Sequence, residues 1–179
     1  MAESYKWYPV YTNPRAEKKA FELLTGKGVE VYLPLQKTLK QWSDRKKIVE
    51  EPFLKSYLFV KILPSQHSEV LMTRGICRFL YFSGKIASMP ERQISGLKLL
   101  FASEADFEIT ERTFQAGDAV RVSAGPLLGL RGELVTVLSQ KRLLVKIEHI
   151  TQSVLVQVPA TFLESLEDAR ILRTLELTE

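Results

Sequence analysis

The sequence predicts an α+β protein: an antiparallel sheet with packed helices, followed by a small all-β barrel. Three observations predict it. Extended runs of large apolar residues alternate with helix-spaced runs as far as Phe101, and the stretch from Ser103 to Gly117 is acidic, poor in aliphatics and punctuated by small residues. Four Val/Leu-rich runs then follow at about the 8–12-residue spacing of a small barrel. The predicted division is a first domain over 1–104, a linker over 105–113 and a barrel domain with its tail over 114–179.

Each element has a local reason. Lys6 to Tyr11 (KWYPVY) alternates rings and is too short for a helix, so it reads as a strand, with Pro9 restricted to an edge or bulge because it lacks an amide hydrogen. Asn13-Pro14 is a helix-start signal, and Ala16, Ala20, Leu23 and Leu24 recur at helical spacing, which predicts a helix over 14–27 closed by Gly26 or Gly28. Glu30 to Leu39 and Ile48 to Ile62 are extended, and the polar basic segment KQWSDRKK between them reads as the charged tip of a hairpin. Tyr57-Leu58-Phe59-Val60 is apolar at every position, so both strand faces are covered or one of them binds something. Ser65 begins a short helix through Arg74, Arg78 to Phe82 is a strand, and Pro90 opens a helix with Ile94, Leu97, Leu100 and Phe101 on one stripe. GDAVRV, GELVTVL, RLLVKIE and SVLVQV supply the barrel strands, and Glu164 to Glu179 has the spacing of an amphipathic helix.

Composition narrows the function classes. The chain has 179 residues, 45% hydrophobic and 26% charged, and no apolar run approaches the ~20 residues of a membrane helix. A cytoplasmic monomer with no membrane partner is expected. The single cysteine, Cys77, excludes an intramolecular disulfide framework, and with only His67 and His149 beside it neither a zinc site nor a nucleophile–base pair is indicated. The acids Glu50-Glu51 and Glu104-Asp106 show no metal-ligand pattern, so the expectation is a non-enzyme without cofactor. The net charge of +4 is uneven: residues 1–62 hold 12 Lys/Arg against 7 Asp/Glu, 63–111 hold 5 against 6, 112–163 hold 6 against 3, and 164–179 hold 2 against 5. Two positive blocks of this kind suit a polyanion.

The most specific segment is Gly117 to Gly132 (GDAVRVSAGPLLGLRG). A phosphate cradle would need a helix N-terminus after the glycines, whereas this segment runs into GELVTVL, which favours a structural turn between strands. Gly117, Val120, Arg121, Val122, Gly125, Pro126, Gly129 and Gly132 resemble the KOW motif, whose setting is a five-strand SH3-like barrel. Independently, WYPVYTNPRAEKKA, EPFLKSYLFVKI and TRGICRF resemble, in order, the N-terminal (NGN) domain of the NusG family. With the basic WSDRKK hairpin, the chain is most similar to the specialised RfaH-like and UpxY-like antiterminators.

The resemblance implies a transcription elongation and antitermination factor that binds RNA polymerase and suppresses pausing or termination at particular operons. It implies that Tyr11, Phe53, Leu54, Tyr57 and Phe59 grip the clamp helices of the largest subunit, with Tyr57 and Phe59 outward and Leu58 and Val60 in the core. Gln66, His67 and Ser68 correspond to a polar motif for the opposite lobe, with helix capping as the plainer reading. Asn13, Arg15, Lys18, Lys19 and Arg74 correspond to residues facing the non-template DNA strand, and Lys40, Arg45, Lys46 and Lys47 are candidates for upstream DNA. For the barrel the resemblance implies docking to a small-subunit ribosomal protein or to Rho, although Leu127 stands where an aromatic is usual and Ile150-Thr151 where Gly-Arg is usual. The competing reading is a KOW-containing RNA-binding protein acting on the ribosome.

Overall fold

A computed structural model describes residues 3–112 and 117–166. The chain divides after Ile94 into two compact units. In the first, strands β1 (Lys6–Thr12), β2 (Glu30–Tyr32), β5 (Tyr57–Ile62) and β6 (Ile76–Phe79) form an antiparallel sheet in the order β2-β5-β1-β6. Between β2 and β5 the chain makes a two-stranded ribbon, β3 (Leu35–Gln41) and β4 (Lys46–Pro52), and after β6 a small hairpin, β7 (Tyr81–Phe82) and β8 (Lys85–Ile86).

Strand alternation divides the residues of β1 and β5 between two faces. Tyr8, Val10, Leu58, Val60 and Ile62 pack with Ala20 and Leu24 of α1 (Glu17–Gly26) and Val70 of α2 (His67–Leu71) in one buried cluster. On the opposite face Trp7, Pro9 and Tyr11 lie across from Lys61, Phe59 and Tyr57. Met89 donates its amide to the Trp7 carbonyl just ahead of α3 (Glu91–Ala102). Trp7 Nε1 donates to Glu91 Oε2 at 2.9 Å, and Lys61 Nζ sits 3.2 Å from that oxygen and 5.7 Å from the Trp7 ring centroid.

The first helix starts later than its sequence suggests. Asn13 and Pro14 enter a turn in which Ala16 donates to the Asn13 carbonyl, Arg15 has φ 64°, and Ala16 is the N-cap without a side-chain cap. The delay has a physical reason: Glu17 becomes the first helical residue, is buried, and accepts the Ser56 amide at 2.8 Å. Ser56 is itself left-handed (φ 62°), and its carbonyl accepts from Thr12, so Glu17 anchors the turn that feeds β5.

The second unit holds the rest of α3 and one antiparallel sheet. Strands β9 (Phe107–Thr110), β10 (Asp118–Val122), β11 (Arg131–Val137), β12 (Gln140–Lys146), β13 (Ser153–Val156) and β14 (Leu163–Ser165) follow the order β14-β10-β11-β12-β13-β9. The expected SH3-like barrel is therefore not formed: this is an open sheet, and β9 and β14 are its edges. Closure would require the end strands to pair with each other. Instead β9, from the stretch read as linker, takes the free edge of β13, while the three-residue β14 is paired to β10 alone. The four Val/Leu-rich runs do become β10 to β13, with Val120, Val122, Val135, Leu143, Leu144, Val145, Val154, Leu155 and Val156 buried. Phe101 packs edge-to-face on Phe107 at 5.5 Å. Beyond Leu166, the predicted tail helix lies outside the described residues.

Candidate nucleic-acid and partner interface

On the sheet face opposite α1 and α2, the register aligns two rows across three strands each. Tyr32, Phe59 and Pro9 form one row; Tyr57, Tyr11 and Arg78 form the other. Tyr32 stacks on Phe59 (centroids 6.0 Å, 26°), Tyr11 meets Tyr57 edge-to-face (5.3 Å, 75°), and the Arg78 guanidinium lies 5.5 Å from the Tyr11 ring centroid. Burial pushes the Tyr32 phenol well above its usual range.

Tyr57 and Phe59 thus take the face opposite Leu58 and Val60, but they are not turned out to solvent: Tyr57 is 7% exposed and Phe59 0%. Their rings fill the rows from both sides, so alternation sets their face and neighbouring aromatics bury them. Leu54 is also fully buried, while Tyr11 and Phe53 are half-buried, and Phe53 donates its amide to Pro34 at the base of the ribbon. Arg78, absent from the sequence-based candidates, is a cation that adjoins this face beside Tyr11, as Lys61 does beside Trp7. A signal was available, since Arg74 and Arg78 lie four residues apart around a glycine turn into β6.

Gln66, His67 and Ser68 occupy the start of α2 and the 3-10 turn before it, Pro64–Gln66. Gln66 Oε1 accepts the Leu63 amide at 3.0 Å, which is the capping role. His67 lies between Tyr8 and Phe79, with centroids 4.7 and 4.8 Å away, and its Nε2 is buried without a hydrogen-bond partner among the described residues. Burial lowers the His67 pKa from 6.5, opposed in part by Glu3, and raises that of Tyr8. Ser68 is exposed.

Arg15 and Arg74 lie in two loops that meet at one end of the sheet, whereas Lys40, Lys46 and Lys47 lie on the ribbon. Asn13 donates its amide to the Gly75 carbonyl at 3.0 Å, which ties the loop carrying Asn13 and Arg15 to the loop carrying Arg74. Gly75 makes this approach possible: it has φ 93°, and a Cβ there would stand 3.1 Å from Ala16 Cβ. Arg15 and Arg74 are exposed with no ion-pair partner among the described residues, Lys18 is exposed one turn on, and Lys19 pairs with Glu22 at 3.3 Å.

In the second unit the glycine-rich segment is a turn between strands. Val122 donates to Leu130 and Gly129 to Val122, and Gly125 and Gly129 have φ 81° and 88°. A Cβ on Gly117 would run into the Leu134 carbonyl, and one on Gly132 would stand 2.5 Å from that of Leu144, so both glycines serve close strand approach. Val120 is core, Pro126 is exposed, and Arg121 pairs with Glu164 of β14 at 2.9 Å. Leu127 points into the core, while Leu128 beside it is exposed.

The first unit thus presents an aromatic sheet face with Arg78 beside it, and among the described residues no three His, Cys, Asp or Glu side chains gather for a metal. Residues 5–98 match the family described as transcription termination factor nusG, and the chain belongs to that NusG family. It is a NusG-type transcription elongation factor, a scaffold and not an enzyme. Among solved structures, "Domain interaction in Thermotoga maritima NusG" is similar at TM-score 0.52 and 19% identity, covering 91% of this chain and 98% of that one. Two structures of the MjSpt4:Spt5 complex also match. Conformation A has TM-score 0.28 at 16% identity and covers 89% of this chain and 97% of that one. Conformation B has TM-score 0.26 at 19% identity and covers 89% and 96%. No curated protein sequence matched the chain.

Proposed function

We propose that this NusG-family chain is a specialised RfaH- or UpxY-like antiterminator that rides on RNA polymerase and suppresses pausing or termination at particular operons. The observation that carries the reading is the adjacency of two surfaces: the Tyr57–Tyr11–Arg78 row and the Asn13–Gly75 tie that joins the Arg15 loop to the Arg74 loop. In this reading the clamp helices of the largest subunit lie on the aromatic face. Tyr11 and Phe53, both half-buried, form its reachable part, and Tyr57, Phe59 and Leu54 form its support. Gln66, His67 and Ser68 face the opposite lobe through exposed Ser68. Asn13, Arg15, Lys18, Lys19 and Arg74 track the non-template strand, and the exposed Gly125-Pro126 turn with Leu128 docks a small-subunit ribosomal protein or Rho.

Holding both lobes closes the clamp only if the chain binds that state preferentially. The test is a single-round transcription assay over a strong pause. Wild type shortens the pause; Arg15→Ala/Arg74→Ala shortens it less and with a weaker salt dependence, because two phosphate contacts are gone. Unchanged kinetics in the double variant would remove the strand assignment, and no effect of wild type on any pause would remove the function.

A further inference from the structure

The ribbon β3–β4 has a composition that its own folding does not explain. Its strands pair only with each other, over seven register positions from Leu35↔Pro52 to Gln41↔Lys46. Both faces lie open: every β3 residue except Thr38 is exposed, as are the first three residues of β4. A lone two-stranded hairpin is marginal in water, so each cross-strand pair should be chosen to stabilise it.

Near the tip the opposite holds. Lys40 stands directly across from Lys47, a like-charge pair that destabilises a ladder. Glu51 draws Lys40 back toward the base, but Lys47 and its neighbours Arg45 and Lys46 have no ion-pair partner among the described residues. At the turn, closed by the Trp42 amide donating to Arg45 at 2.8 Å, Trp42 is 56% exposed. The contrast with Trp7, 1% exposed and hydrogen-bonded to Glu91, is sharp: the second tryptophan keeps more than half of its surface in solvent.

Cations that repel one another are relieved by an external anion, and an indole presented beside them offers a face for a flat, uncharged ring. Phosphates and bases of a nucleic-acid strand supply both, and an indole covers a base only if that base is unpaired. We propose that the ribbon tip binds single-stranded nucleic acid, with Trp42 stacking on a base and Arg45, Lys46 and Lys47 on the phosphates that flank it. This surface is separate from the Arg15 and Arg74 loops and does not rest on the polymerase reading.

The experiment uses the full chain. Because Trp7 is buried, quenching of tryptophan emission reports on Trp42, while anisotropy of a labelled strand reports affinity. Oligo(dT), oligo(rU), an abasic strand and a duplex, each about 20 nucleotides long, are compared at low salt. The expected result is quenching by oligo(dT) or oligo(rU), the better of the two identifying DNA or RNA, with little quenching by duplex or abasic strand. Trp42→Ala should lower affinity about tenfold. Lys47→Glu creates an opposite-charge pair with Lys40 and so preserves the hairpin, yet it should weaken binding and flatten its salt dependence. Arg15→Ala/Arg74→Ala should retain the quenching. Equal affinity for abasic strand or duplex, no loss in Trp42→Ala, quenching lost in Arg15→Ala/Arg74→Ala, or no binding by wild type would each overturn the proposal.

Discussion

The four-stranded sheet and the β3–β4 ribbon are both antiparallel, and β1 and β3 have the same length of seven residues, yet they sit at opposite ends of burial. In β1 only Lys6 is exposed and Tyr11 half-buried; in β3 no residue is buried. In the sheet the helices cover one face, and on the other Tyr32 stacks on Phe59, Tyr11 meets Tyr57, and Trp7 is held by Glu91 and Lys61. In the ribbon Leu39, Trp42 and Ile48 are left uncovered and two lysines face each other. The sheet therefore uses its large side chains for its own packing, whereas the ribbon leaves several of its own outside any packing.

Substitutions can break that contrast, and the largest effect belongs to the sheet. Phe59→Ala removes a fully buried ring from the Tyr32–Phe59–Pro9 row and should cost about 3–5 kcal/mol, read as a lowered midpoint in urea unfolding of the first unit. Glu17→Ala leaves the Ser56 amide without its acceptor and should cost about 1–3 kcal/mol by the same measurement. In the ribbon, Trp42→Ala should change stability by less than about 0.5 kcal/mol, since an exposed ring contributes little to folding. A cost as large as that of Glu17→Ala would mean that Trp42 is structural.

The smallest effect is a pH dependence. The His67 pKa is lowered in the folded chain, so the unfolded chain takes up the proton first as pH falls. The His67 contribution is complete above the ordinary value of 6.5 and is lost as pH drops below it. Thermal melts at pH 7.5 and about pH 5 should show a smaller acid-induced fall in His67→Gln than in wild type.

What the sequence makes legible follows from how local each cause is. The β10 to β13 runs, α3 and the ribbon are readable because periodicity and turn residues lie within each segment. The glycines of the Gly117–Gly132 segment are readable as a turn because a strand follows them. The start of α1 is misread because it is set by Ser56, 39 residues away from Glu17. Closure of the second sheet is misread because β9 lies in acidic sequence and β14 is only three residues long, so neither edge has a hydrophobic signature. On the candidate surfaces, strand parity separates Tyr57 and Phe59 from Leu58 and Val60, but which pair faces which layer, and the contacts with Tyr11 and Tyr32, depend on other strands. Arg78 joins them only through the β1–β6 register.

The central claim is that the aromatic face of the sheet, and not the ribbon, grips polymerase. It is tested most directly by measuring binding of purified RNA polymerase to wild type, Tyr11→Ala and Trp42→Ala, each first shown to melt cooperatively. Tyr11, the middle member of its row, is only half-buried, so its removal should spare the fold while taking away an aromatic anchor. The account predicts binding by wild type and Trp42→Ala alike and at least tenfold weaker binding by Tyr11→Ala. Equal binding by all three, weakening only in Trp42→Ala, or no binding by wild type would contradict it.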